Sequence, residues 1–491
     1  MAWRASDRLT LEAEYSSDAY DNEQSRGLVD PSSPLNFGLT YRLTEAIDLS
    51  LTHRLGNETG LMLSTNFNPK RPPGGATPDK APPAVLARPD GPSGRGDQLE
   101  APLRVQLSDQ GIALEHLNVV GDRATVQIRN TRWRSEPQAI GRTVRVLSRV
   151  LPAEIEAFRI VTIDNGMALS AIDMRRRDVE ELEHAPDGAW LSFVRADISD
   201  AADLGEVAIV SPRFDWSLTP YIDTELFDPD GPLRADVGVR AQGRLAFGNG
   251  VFVSGSIRKK VLGSLDNSVR ASTSVLPKVR SENALYNREG DPALEYLALE
   301  RFGRPGRDLY SRVSFGYLEK MYGGLSAELL WKPVDSRLGI GGELNYVKQR
   351  DFDQQFGFQD YETTTGHVSA YYDLGNGFHT QLDVGRYLAG DWGATLSVDR
   401  EFENGIRIGG FATLTDVSFD DFGEGSFDKG ITIEIPITWI TGEPARNSFR
   451  TTIRPVLRDG GARLNVPNRL YETVRPWHSK ELGDEWGRVF R

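Results

Sequence analysis

Leu233-Arg234-Ala235-Asp236-Val237-Gly238-Val239-Arg240-Ala241-Gln242-Gly243-Arg244-Leu245-Ala246-Phe247 decides the fold. Its odd positions are apolar or small, and five of its seven even positions are polar. A strand sends successive side chains to opposite faces, so this is one long strand with an apolar and a polar side. Gly248-Asn249-Gly250 then makes a tight turn into Val251, Val253, Gly255 and Ile257, which alternate with Ser254, Ser256 and Arg258. Working outward, the same pattern predicts strands near 213–224 and at 308–319, 323–331, 338–348, 364–374, 378–388, 392–402, 405–415, 430–440 and 448–457. About a dozen result. Globular strands usually run ~5–6 residues, whereas ~9–11 cross a bilayer. Tight joins such as Gly375-Asn376-Gly377 alternate with long polar ones at 259–307, 349–363 and 416–429.

Long alternating strands with short and long joins predict a mainly β chain built on a transmembrane antiparallel β-barrel over 210–460. Closure satisfies every backbone polar group inside a bilayer. Tyr310, Tyr322, Trp331, Tyr346, Trp392, Phe402 and Trp439 fall towards strand ends, as an aromatic girdle requires. The polar face puts Arg234, Asp236, Arg240, Arg244, Arg258, Glu328, Glu343, Asp383 and Asp399 towards the lumen. Such a lumen is wet and suits passage of a hydrophilic polymer, although plain solvation would use the same residues. A soluble β-sandwich or lipocalin-like barrel shows the same alternation, usually over shorter strands.

Before the barrel lie three zones. Residues 1–67 alternate in about four strands, with Leu35, Phe37, Leu39, Tyr41 and Leu43 on one face. Residues 68–102 carry Pro-Pro at 72–73 and 82–83 and read as a linker. Residues 103–198 predict a small α+β domain. Its elements are a strand at Leu103–Leu107, a helix at Ser108–Leu117, a strand at Ala124–Ile128 and a helix at Pro137–Leu151. A hairpin follows through Asp164-Asn165-Gly166, then a charged helix at Asp173–His184. After the barrel, residues 461–491 form a tail that reads equally as a closing strand, a plug or a partner-binding segment.

Composition narrows the function. The 491 residues carry 57 Lys plus Arg against 70 Asp plus Glu, a net charge of −13, which argues against nucleic acid as a partner. There is no cysteine, so disulfides and thiolate chemistry are excluded. No run of ~18 apolar residues offers a membrane-spanning helix. The six histidines (53, 116, 184, 367, 379 and 478) are scattered, which gives no reason to expect a metal site. Asp420-Asp421-Phe422-Gly423-Glu424-Gly425 lacks EF-hand spacing. No catalytic motif is present, and neither an enzyme nor a cofactor is expected.

Several stretches resemble the YjbH/GfcD-type exopolysaccharide proteins of the Gram-negative outer membrane. They are Gly316-Tyr317-Leu318-Glu319-Lys320-Met321-Tyr322-Gly323-Gly324 with Ala327–Pro333, Asn345–Phe352, Arg386–Asp391, Phe422–Gly430, Arg454-Pro455 with Gly460–Leu464, and Asn66–Lys70. The resemblance implies an outer-membrane protein serving export or assembly of exopolysaccharide or capsule, with two barrels joined by a periplasmic α+β domain. Its partners would be the polysaccharide chain, outer-membrane lipid and periplasmic export proteins. It implies no catalytic residues, and its Gly-Glu-Gly and Asp-Lys-Gly motifs would supply positive-φ corners. A member would begin with a signal peptide and a full first barrel. Residues 1–67 show neither, so a truncated or misplaced start is the expectation, with open strand edges prone to aggregation.

Overall fold

The computed structural model describes the chain except residues 1, 26, 28–29, 45–46, 66–80, 86–87, 89–95, 205–212, 229–230, 268–271, 423–426 and 455–457. It divides into two compact units. One holds the N-terminal strands and Pro436–Ser448, and the other holds Lys80–Ile435 and Phe449–Arg491.

In the first unit β1 (Ala2–Arg4), β2 (Leu9–Tyr15), β3 (Leu35–Arg42), β4 (Ile47–Arg54) and β5 (Glu58–Thr65) form an antiparallel sheet in sequence order. About four strands were expected here. Phe37, Leu39, Leu51, Leu61 and Leu63 remain exposed, so this sheet keeps an uncovered apolar face.

The second unit begins with an α+β domain. Its strands are β6 (Ile112–Val120), β7 (Arg123–Asn130), β8 (Ala157–Asp164), β9 (Met167–Arg175) and β10 (Asp197–Asp200), in the order β10-β9-β8-β7-β6. β7 and β8 are parallel and are joined by the helix Glu136–Val150, while the other pairs are antiparallel. Asn165 and Gly166 take φ of 49° and 73°, the doubly positive geometry that makes Asn-Gly a hairpin turn.

Two elements at the front of this domain differ from the expectation. Leu103–Leu107 belongs to the helix Gly96–Asp109, and Ser108–Leu117 gives way to β6. Leu99, Leu103 and Leu107 recur every four residues onto the core while Val105 is exposed, so the helical period wins over the alternating one. In β6 a register shift between Leu114 and His116 moves Leu117 onto the buried face, which gives a strand helix-like spacing. The expected charged helix is shortened to Arg176–Leu182 because β9 runs on to Arg175. The helix Gly188–Arg195 and β10 follow where the sequence suggested nothing.

Between this domain and the C-terminal segment runs a 13-stranded antiparallel sheet in which each strand pairs with its sequence neighbours. It comprises β11 (Arg213–Asp228), β12 (Gly231–Gly248), β13 (Val251–Gly263), β14 (Ala293–Gly306), β15 (Leu309–Tyr317), β16 (Tyr322–Trp331) and β17 (Leu338–Arg350). It continues with β18 (Phe358–Gly375), β19 (Phe378–Arg386), β20 (Trp392–Glu401), β21 (Arg407–Thr415), β22 (Asp428–Pro436) and β23 (Ser448–Ile453). Residues of β11 and β12 at one end and of β22 and β23 at the other line the same cavity, so the sheet curls into a nearly closed barrel. β14 is the strand the sequence hid, inside the expected loop 259–307. Its Leu294, Ala298 and Phe302 are buried while Leu297 and Leu299 are exposed, so apolar residues on both faces erase the alternation. Strand 430–440 stops at Pro436, where the short helix Ile437–Thr441 begins.

The two faces of the sheet differ chemically. Along β17 and β16, Ile340, Leu344, Tyr346, Leu325, Leu329 and Trp331 are exposed. Glu343, Asn345, Ser326 and Glu328 between them are buried. Among the described residues no helix is long and apolar enough to cross a membrane, so any crossing would fall to strands. Gly430 does not take a positive φ, contrary to the turn role expected of Asp-Lys-Gly. It lies in β22, where a Cβ would come within 2.7 Å of the Phe411 ring. The Gly-Glu-Gly motif lies outside the described residues.

Candidate functional site

The inner face of the barrel meets the C-terminal segment of the same chain. After β23 this segment approaches the loop end, where the amides of Arg280 and Ser281 donate to Asp459 at 2.8 and 2.9 Å. There Gly461 also donates to Asp391 at 2.8 Å. Arg463 then reaches Asp383 at 2.7 Å and Glu343 at 3.5 Å, and Arg469 also pairs with Glu343. The Leu470 amide donates to Glu328 at 3.1 Å, and Tyr471 stacks on Tyr371 with centroids 3.9 Å apart. Farther on, Arg475 meets Glu401 at 3.0 Å, and His478 bonds the Tyr310 hydroxyl at 3.0 Å.

The segment leaves at the end of the short turns, where the α+β domain sits. Ser170 donates to the Trp477 carbonyl at 2.7 Å, Arg304 pairs with Asp200 at 2.5 Å, and Arg244 donates to Asn165 at 2.6 Å. Leu482, Trp486 and Val489 then join the α+β core itself. Trp486 donates to Ser192 at 2.9 Å. The helix Glu136–Val150 is notched for this ending, because a Cβ on Gly141 would fall 1.5 Å from the Val489 carbonyl oxygen.

Beside the threaded segment remains a cavity of about 1060 Å³. Arg240, Arg258, Asp383 and Asp399 line it, together with Lys320 and Arg407. Of the other sequence candidates, Arg234 is buried, and Asp236 accepts the Leu265 amide at 3.0 Å. Arg244 lies at the α+β contact, and Glu328 and Glu343 hold the tail. The cavity charges are mostly paired: Arg240 with Glu295 at 2.7 Å, Arg258 with Asp223, and Arg407 with Asp399 at 3.0 Å and Glu472 at 3.0 Å.

Sequence reasoning missed the tail's half of this network. Its signal was present in Arg463, Arg469 and Arg475, cations spaced six apart in a segment with no strand pattern. Outside the strands, burial alone would raise the Glu472 carboxyl, but Arg407 and Arg475 hold it well below the usual range. Burial pushes the His478 imidazole down, so it is neutral. Burial likewise pushes the Lys320 amine down to about 7, and it donates to Asn283 at 2.7 Å.

A nearly closed barrel, apolar outside, threaded by its own C-terminal segment and capped by an α+β domain, defines a plugged β-barrel protein. The chain belongs to the family described as exopolysaccharide biosynthesis protein YbjH, whose model matches residues 1–476. It is similar to the uncharacterized lipoprotein YjbH of Escherichia coli (strain K12), with 29% identity over 482 residues, covering 94% of this chain and 68% of that protein.

Proposed function

We propose that this chain is an outer-membrane β-barrel protein that supports export or assembly of an exopolysaccharide or capsule, without catalysing a covalent step. The observation that carries the membrane reading is the outer face of the sheet. Leu344 is 63% exposed, Phe315 62% and Val368 63%, on strands whose inner faces are polar and buried. Water would leave that apolar band unfavourable, whereas lipid accepts it. In such barrels the short turns face the periplasm. The α+β domain packs at that end, which makes it the natural dock for periplasmic export proteins. The family's description and the lipoprotein relative support the link to exopolysaccharide and to a membrane.

The test is a gel of the chain purified in detergent and loaded with and without boiling. The expected result is a faster or slower unboiled band, the mark of an SDS-resistant barrel. No shift, with solubility kept after detergent removal, would overturn the membrane reading and favour a soluble carbohydrate-binding scaffold.

A further inference from the structure

Three groups of metal-ligating type converge where the tail leaves the barrel: Asp373 at the end of β18, His379 at the start of β19, and Glu481 in the tail helix Ser479–Glu485. Asp373 and His379 stand directly opposite one another in the ladder. One ligand atom from each of the three lies within 4.8 Å of the others. The hydrogen bonds add an independent observation. Asp373 is 2% and His379 7% exposed, yet Asp373 Oδ2, His379 Nδ1 and Glu481 Oε2 have no hydrogen-bond partner. Asp373 Oδ1 is engaged, accepting the Gly375 amide at 2.6 Å. Buried polar atoms are normally hydrogen-bonded, so three without partners in one spot are atoms that a shared ligand would satisfy.

We infer that Asp373, His379 and Glu481 form a divalent-cation site that staples the C-terminal segment to the barrel wall. Two carboxylate oxygens and one imidazole nitrogen suit Zn²⁺ or Mn²⁺, with water completing the shell. Around a tetrahedral ion with bonds of ~2.0–2.2 Å, ligand atoms stand roughly 3.5 Å apart. Small side-chain rotations therefore close the site from its present spacing.

The neighbouring cations define what binding must overcome. Lys332 is occupied by the Ser336 carbonyl at 2.6 Å. Arg475 donates to His379 Nε2 at 3.0 Å, but Glu401 and Glu472 also hold it. A cation on Nδ1 moves the imidazole proton to Nε2, and Arg475 then turns to those two carboxylates. Since Glu481 belongs to the tail and the other two ligands to the wall, the bound ion resists withdrawal of the segment.

The experiment is calorimetric titration of Zn²⁺ into the full chain in detergent, with thermal melting as a second readout. One equivalent should bind, and Zn²⁺ should raise the melting temperature by several degrees, reversibly with chelator. Glu481→Gln, isosteric and at the edge of the cluster, should weaken binding about tenfold or more and abolish the thermal shift. His184→Gln, at an exposed histidine, should change neither. Failure of the wild-type chain to bind Zn²⁺ or Mn²⁺, or unchanged binding by Glu481→Gln, would overturn the site. Neither readout depends on whether the barrel passes a glycan.

Discussion

Glu328 and Glu343 stand directly opposite one another on β16 and β17, both buried on the inner face of the barrel. Like charges placed so are destabilising in a sheet, and more so away from water. Arg312 answers Glu328 from β15 at 3.0 Å, while Arg463 and Arg469 answer Glu343 from the tail. Among the described residues, the cations that pair with Glu343 come from the C-terminal segment. The plug is thus part of the barrel's electrostatic balance.

Replacing Arg469 should expose this dependence. Breaking a buried pair costs ~3–5 kcal/mol, and Arg463, 3.5 Å from Glu343, should reduce that loss for Arg469→Ala. Adding Glu343→Gln should restore most of the stability, because the stranded charge is gone. Urea unfolding of the four members of the cycle measures it, and additive effects would refute the coupling.

Gly141 should reverse the usual rule for helices. Gly→Ala inside a helix ordinarily stabilises by ~1 kcal/mol. Here the new methyl would meet the Val489 carbonyl, so Gly141→Ala should expel the last turn of the tail. Limited proteolysis near Trp486 should then be faster than in the wild-type chain.

Leu344→Arg distinguishes lipid from water outside β17. At the midplane of a bilayer an outward arginine costs ~2–4 kcal/mol, whereas on a water-facing surface it stays within about 0.5 kcal/mol. Unfolding from lipid vesicles reads the difference.

Lys320 should give the stability a slope with pH. Its amine is pushed down to about 7 in the fold, while an unfolded lysine titrates near 10.4. Between those values the unfolded chain binds more protons, so raising pH should stabilise the fold; below about 7 the full penalty applies. Lys320→Met should remove this contribution, seen as a flatter dependence of urea midpoint on pH from 7 to 10.

Conductance should follow the plug. With Arg463→Ala and Arg469→Ala combined, the segment loses its grip on Asp383 and Glu343, and planar-bilayer conductance should rise above that of the wild-type chain. Equal conductance would mean that the segment stays seated without these pairs.

The strands were legible in the sequence wherever one face was apolar and the other polar, as at Leu233–Phe247. They were hidden where both faces are apolar, as in β14, or where a bulge shifts the face, as in β6. The nine charged candidates could be assigned to a face by parity alone. What each one holds could not, because its partner lies on another strand, in a loop, in the α+β domain or in the tail.

Alternation along the chain determined the strands and their two faces, since period-two patterning is a local property that each strand carries within itself, while the family resemblance was carried by short motifs such as Gly316–Gly324 and Arg386–Asp391. The tertiary structure alone decided that residues 461–491 thread the barrel and finish in the α+β core. It also brought Asp373, His379 and Glu481 together. The physical reason is that burial and charge pairing depend on distance in space, and Ser170 and the Trp477 carbonyl it bonds are 307 residues apart in sequence.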